Sequence, residues 1–165
     1  MADTAGVRFD RLVEIMRRLR APGGCPWDRE QTLASLRPFV LEETYEVLEA
    51  IERGSPAGLR EELGDYLYEA VFLAQISEEA GDFTISDAID AICDKLVRRH
   101  PHVFARANDD DEAISTDQVI ERWEAMKARE RGSEPSRERT TLSGVPKTLP
   151  SLLRAYEISA RAARY

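Results

Sequence analysis

Two short acidic segments contain the residues of this chain that are best suited to chemistry. The first, residues 42–46, reads Glu-Glu-Thr-Tyr-Glu, and the second, residues 61–65, reads Glu-Glu-Leu-Gly-Asp. Residues three and four positions apart lie on the same face of a helix. Each segment therefore predicts a stripe of carboxylates along one helix, and Glu69 continues the second stripe.

Carboxylates gathered in this way predict a metal site. Two bare carboxylates about 5 Å apart repel by roughly 3 kcal/mol at an effective dielectric constant near 20, so such a cluster takes up protons or binds cations. Hard oxygen ligands favour Mg²⁺ or Mn²⁺, which proteins commonly use to meet phosphate oxygens. The i, i+3 pairs that could hold one or two metals are Glu43 with Glu46, and Glu62 with Asp65.

The acidic stripes have two other interpretations. Solvated helix faces are common, but few basic residues lie four positions away to relieve the repulsion, and both stripes adjoin apolar arcs. A di-iron bundle needs a Glu-x-x-His pair on each of two helices, and His100 and His102 occupy neither position. The spacing therefore favours the site for Mg²⁺ or Mn²⁺.

Cations and aromatic residues elsewhere could complete a nucleotide site. Lys95, Arg98 and Arg99 end a predicted helix, where they either complement the helix dipole or clamp phosphate groups. Trp27 and Trp123 could each cover a nucleobase or pack in the core. The residues alone leave both choices open.

The apolar spacing predicts an all-α protein, a helical bundle without strands. Predicted helices cover residues 9–20, 35–52, 56–80, 86–100, 116–131 and 151–164, with Ser35 and Ser55 as N-caps. We expect a catalytic helical domain over 1–131, a flexible linker over 132–150 and a C-terminal helix over 151–165. The residues expected to be buried include Leu48, Ile51, Leu63, Leu67, Ile89 and Ile92, and Gly64 suggests close approach of another backbone.

Composition narrows the functional class. The 165 residues carry a net charge of −8, which disfavours a broad surface for nucleic acid. No apolar run approaches a membrane span, and residues 1–10 lack the pattern of a signal peptide. We expect a cytoplasmic protein without a membrane partner, in which Cys25 and Cys93 are reduced, buried thiols.

At these residues the chain resembles the MazG family of nucleoside triphosphate pyrophosphohydrolases. The family pattern Glu-Glu-x-x-Glu, a spacer, then Glu-x-x-Asp is met by residues 42–46 and 62–65. The likeness continues through Cys-Pro-Trp-Asp at 25–28, the basic stretch at 95–104 and Trp-Glu-Ala-Met-Lys at 123–127. Longer members carry two such domains, and this chain resembles the N-terminal copy in a single-domain form.

The resemblance implies an all-α, four-helix-bundle-type fold acting as a homodimer or higher oligomer, with helices of two subunits interleaved. It implies Mg²⁺-dependent hydrolysis of nucleoside triphosphates to the monophosphate and pyrophosphate, a house-cleaning reaction. The implied metal ligands are Glu43, Glu46, Glu62 and Asp65, and either Glu42 or Glu46 would orient or deprotonate the attacking water. The implied substrate-binding residues are Trp27, Lys95, Arg98, Arg99, Trp123 and Lys127.

A second hypothesis comes from a different class of protein. The chain could be a catalytically weak regulatory or scaffolding dimer that binds nucleotide or a protein partner without hydrolysing it. In two-domain relatives the N-terminal copy can be the weaker catalyst, although the acidic pattern is intact here.

Overall fold

The structure, a computed structural model, describes residues 3–104, 115–133 and 145–163, without the side chains at 124, 127–133 and 161. These residues divide into two units, Met1–Arg98 and Arg99–Tyr165. The helices are α1 (Ala5–Arg20), α2 (Pro26–Glu30), α3 (Arg37–Glu52), α4 (Pro56–Ala80), α5 (Ile85–Arg99), α6 (Pro101–Phe104), α7 (Thr116–Ser133) and α8 (Ser151–Ala162). No strand occurs in these ranges, so the predicted all-α class is confirmed. Most of the predicted linker lies outside the described residues.

The ends of the long helices follow local sequence signals. Thr4 and Ser55 cap α1 and α4 by accepting hydrogen bonds from backbone amides, at 3.3 Å from Val7 N and 3.1 Å from Gly58 N. Gly81 ends α4 in the left-handed region, with φ of 76°, where a glycine avoids the strain of a side chain.

Two short helices and one cap differ from the sequence prediction. Helices α2 and α6 have too few residues to show a periodic pattern. Ser35 is not the N-cap of α3: its hydroxyl accepts from Thr32 N at 2.9 Å, and Leu36 stands at the cap position. The Thr32–Ser35 turn therefore uses this hydroxyl before the helix begins.

The core of the first unit forms where α1 and α3 pack against α4. Its fully buried members are Met16, Leu36, Val71 and Phe72. The loop between α3 and α4 is only three residues long, so the two helices form a hairpin in which they run antiparallel. This hairpin fixes the relative positions of the acidic segments at 42–46 and 61–65.

Several apolar residues that were expected to be buried are exposed in this chain. Leu67 of α4 retains 48% of its accessible surface. Five other residues of this set are also exposed to solvent, namely Leu48, Ile51, Leu63, Ile89 and Ile92. The prediction of burial is therefore wrong for these residues in the single chain. On α4 the core face instead carries Val71 and Phe72. Extended exposed apolar faces typically mark an interaction surface.

Two further features concern the membrane and the thiols. Among the described helices, none has the length and apolar character needed to cross a membrane. Cys25 and Cys93 are free thiols; Cys25 is half-buried, and Cys93 is exposed rather than buried as expected.

A buried guanidinium joins three helices in the first unit. The Arg20 side chain, only 7% exposed, donates to Glu79 of α4 at 2.6 Å and to the backbone oxygens of Asp28 and Gln31. The hydrogen bond from Arg20 is the main reason that the pKa of Glu79 lies below its ordinary value. Tyr68 of α4 adds a hydrogen bond to Asp28 Oδ1 at 3.0 Å. Together these contacts attach α2 to α1 and α4.

We expect Arg20→Ala to lower the free energy of unfolding by about 2–3 kcal/mol, because it leaves buried acceptors without their donor. Arg17→Ala is the matched control, since Arg17 pairs with Glu14 on the exposed face of α1 and such pairs contribute about 0.5 kcal/mol or less. Urea denaturation followed by circular dichroism measures both. Equal, small losses in the two variants would contradict the role assigned to Arg20.

Candidate metal centre

The α3–α4 hairpin brings carboxylates from both acidic segments together. Glu43 of α3 and Glu62 and Asp65 of α4 each offer one oxygen atom, and these three atoms all lie within 4.8 Å of one another. Glu62 and Asp65 are three positions apart on one helical face, and the short α3–α4 loop sets Glu43 opposite them. Three of the four predicted metal ligands therefore meet in one place.

The charges of this cluster disfavour full ionisation in the absence of a cation. The pKa of Glu43 is raised by burial and then by the charges of Glu46, Asp65, Glu69 and Glu62. The pKa of Glu62 is likewise raised by removal from solvent and then by its acidic neighbours, with Glu46 foremost. A divalent cation would relieve this repulsion.

The chemistry of the cluster fits a hard divalent cation. Glu43 Oε2 is buried and has no hydrogen-bond partner among the described residues, although buried polar atoms in native proteins normally have one. All three donors are carboxylate oxygens, which suits Mg²⁺ or Mn²⁺ better than a softer metal. Glu43, Glu62 and Asp65 are the residues that would hold such an ion.

Glu46, the fourth predicted ligand, lies beside the cluster rather than in it. Its charge raises the pKa of both Glu43 and Glu62, which shows that it is near them, but it is not one of the three converging carboxylates. Glu46 and Glu42 are both exposed on α3. Their predicted catalytic roles remain predictions.

The predicted substrate-binding cations and Trp123 are distributed over both units. Lys95 is half-buried and Arg98 exposed near the end of α5, in the unit that carries the acidic cluster. Arg99 and Trp123 belong to the second unit. The side chain of Lys127 lies outside the described residues, and the role of each of these residues stays a prediction.

Trp27 is partly packed and partly open to solvent. Its ring makes edge contacts with Phe39 and Phe72, with centroids 5.7 Å and 6.5 Å apart, yet 49% of the residue remains exposed. Phe39 lies one turn before Glu43 on α3. Trp27 therefore combines core packing with an exposed surface near one end of the acidic hairpin.

Sequence reasoning did not select Glu69, which is one of the few buried charged residues. Its place on the stripe of Glu62 and Asp65 is readable from spacing, but its burial is not, because a helical stripe does not reveal which of its members faces the core. Only 7% of Glu69 is exposed, and burial raises its pKa.

The fold and the cluster define a class: an all-α protein with a carboxylate site of the kind that holds a divalent cation. Residues 31–104, which include the whole hairpin, match the family described as MazG nucleotide pyrophosphohydrolase domain. This segment of the chain belongs to the MazG family.

Similar proteins support this assignment over most of the chain. It is 49% identical over 157 residues to a nucleoside triphosphate pyrophosphohydrolase of Escherichia coli strain K12, a match covering 94% of this chain and 57% of the relative. It is 43% identical over 160 residues to a nucleoside triphosphate pyrophosphohydrolase/pyrophosphatase MazG of Thermotoga maritima, covering 97% of this chain and 58% of the relative. The chain thus spans somewhat more than half the length of these two relatives.

A solved structure has a similar fold. The crystal structure of a mazG-related protein from Thermotoga maritima aligns with a TM-score of 0.60 and 29% sequence identity. The alignment covers 72% of this chain and 98% of that protein.

We expect Asp65→Asn to weaken Mn²⁺ binding at least about tenfold, because it removes one charged oxygen from the three that converge. Asp65 is exposed, so the variant should fold. Isothermal titration calorimetry without nucleotide gives the affinity, and Glu52→Gln, an exposed carboxylate at the end of α3, is the control. Unchanged affinity in Asp65→Asn would show that the cluster is not the metal site.

Proposed function

We propose that this protein hydrolyses nucleoside triphosphates to the monophosphate and pyrophosphate, with Mg²⁺ as cofactor and Mn²⁺ as a substitute. The observation that carries the proposal is the convergence of Glu43, Glu62 and Asp65 inside the matched family segment. Relatives that are 43–49% identical bear the name of this activity, and it is carried over here as a proposal because the chain spans little more than half of each.

The chain's own residues have separable tasks in the proposed reaction. When bound, Mg²⁺ neutralises charge on the triphosphate and lowers the pKa of a coordinated water. The cluster carboxylates hold the ion, while Glu46, exposed beside the cluster, or Glu42, exposed on the same helix, orients the attacking water or accepts its proton. Lys95, Arg98 and Arg99 offset charge that develops on the departing pyrophosphate. No covalent intermediate is needed.

Two aromatic side chains and one cation are proposed to bind the rest of the nucleotide. The exposed part of Trp27 offers a flat surface of the kind on which a base stacks. Trp123 is assigned to the nucleotide by the family resemblance, and Lys127, in the same motif, is proposed to bind substrate as well. A series of ribo- and deoxynucleotides with pyrophosphate detection identifies the preferred base and sugar.

We expect Glu46→Ala to reduce pyrophosphate release by about 10²–10⁴-fold, the range associated with loss of a general base. The side chain is exposed on α3, so the fold should survive, as circular dichroism would show. Glu52→Ala removes another exposed carboxylate from the same helix and should leave turnover unchanged. Undiminished turnover in Glu46→Ala would leave the role to Glu42, and undiminished turnover in Glu42→Ala as well would reject the mechanism.

The second hypothesis, a regulatory dimer that binds nucleotide without hydrolysing it, is distinguished from the enzyme by measuring nucleotide binding and pyrophosphate release together. The activity for which the relatives are named belongs to longer proteins, which keeps a nucleotide-binding module without hydrolysis as the second candidate. Calorimetric titration with a nucleotide and Mg²⁺ is run beside the pyrophosphate assay. Binding without product supports the module, and product supports the enzyme.

We also propose that the active form is a homodimer or a higher oligomer in which a second copy covers the exposed apolar faces of the hairpin. Leu63 and Leu67 of α4, with Leu48 and Ile51 of α3, supply these faces. The close approach of another backbone that was expected at Gly64 is not found among the described residues, because the space beside this glycine is open.

We expect Leu67→Lys to weaken self-association at least about tenfold, because the lysine must be desolvated against the apolar face of the partner. Folding of the single chain should change little, since the position is half exposed. Leu67→Met is the control, because it keeps volume and apolarity. Sedimentation velocity over a concentration series measures association, and a monomeric wild-type chain would refute the oligomer.

A further inference from the structure

The buried carboxylate of Glu69 is not explained by the predicted set of metal ligands. Its Oε2 atom is buried and has no hydrogen-bond partner among the described residues. Burial also raises the pKa of Glu69. Native proteins seldom retain a buried carboxylate in this condition, since it opposes folding.

The neighbouring polar network does not account for Glu69. Arg20, the buried cation of this unit, donates to Glu79 and to the backbone oxygens of Asp28 and Gln31. Tyr68, adjacent to Glu69 in sequence, donates to Asp28. None of these contacts includes the Glu69 carboxylate, so they do not explain why an acid stands there.

Glu69 is not one of the three converging carboxylates, but it lies close enough for its charge to act on the cluster. Glu69 follows Asp65 by four positions and Glu62 by seven, so the three share one face of α4. Its charge also acts on Glu43 across the hairpin, where it contributes to the raised pKa of that residue. Glu69 thus extends the cluster inward, from exposed Asp65 toward the core.

We propose that Glu69 is a positioning residue of the metal centre, whose buried carboxylate accepts a hydrogen bond from a water molecule on the ion. This inference rests on the proposed function. Mg²⁺ keeps several of its waters in protein sites, and acceptors beyond the direct ligands orient such waters and raise metal affinity. A water in this place supplies the partner that Glu69 Oε2 lacks.

The test uses Glu69→Gln in the full chain, which keeps the shape of the side chain and removes its charge. Mn²⁺ affinity, measured by calorimetry without nucleotide, should fall about tenfold, within the range seen when such outer acceptors are changed. The metal-free variant should melt about 2–4 °C higher, because a buried charge has been removed. In pyrophosphate assays the Mg²⁺ concentration for half-maximal rate should rise more than kcat falls.

Two further variants keep the result interpretable. Glu78→Gln changes a half-buried carboxylate farther along α4 and should leave the Mn²⁺ affinity and the melting temperature unchanged. Glu69→Asp keeps the charge but withdraws the carboxylate by one methylene, so it should also bind Mn²⁺ more weakly. If Glu69→Asp binds like the wild type, the charge acts only at long range and the positioning role is overturned.

The outcome for Asp65→Asn separates failure of this inference from failure of the proposed function. If Asp65→Asn loses Mn²⁺ affinity but Glu69→Gln and Glu69→Asp keep it, the metal site stands and Glu69 is only a buried acid. If none of the three loses affinity, the metal site itself is refuted. Loss in all three, with folded metal-free proteins, supports the positioning role.

Discussion

Repulsion among carboxylates held in place by a packed helical hairpin is the constraint on which this structure depends. Glu43, Glu62 and Asp65 converge from α3 and α4 within a few ångströms, and the ion pairs seen in the described residues lie elsewhere. The helices cannot separate to relieve the repulsion, because Leu36, Val71 and Phe72 of the same hairpin are fixed in the core. Packing energy thus maintains an arrangement of charges that is relieved by proton uptake or by a bound cation.

Helix α4 links this site to the rest of the first unit. Its N-terminal half carries Glu62 and Asp65, its middle carries Tyr68 and Phe72, and its last turns carry Glu79. Through Tyr68 and Glu79 it anchors α2 to the hairpin, by the hydrogen bond to Asp28 and the ion pair with Arg20. Because α2 also carries Trp27, helix α4 fixes the positions of both the acidic cluster and an exposed aromatic side chain.

The sequence was sufficient for features that depend on local spacing. Helix ends at Ser55 and Gly81 follow from capping chemistry, and the convergence of two acidic stripes follows from helical periodicity plus a short loop. It was insufficient where tertiary packing decides. Nothing in the spacing distinguishes Glu46, beside the cluster, from Glu43, within it, because both lie on the same arc of α3.

Burial shows the same division between periodicity and packing. Periodicity identified the apolar face that contains Leu63 and Leu67 but not what covers it. The sequence pattern of apolar residues is the same whether the surface that buries them belongs to the same chain or to another. Periodicity also identified the stripe that contains Glu69 but not its burial. The hairpin of α3 and α4 therefore carries both the mutually repelling carboxylates and the solvent-exposed apolar surface. In the proposed dimer, burial of that surface adds packing energy to the two helices that the cluster tends to force apart, so association and metal binding both stabilise the same hairpin.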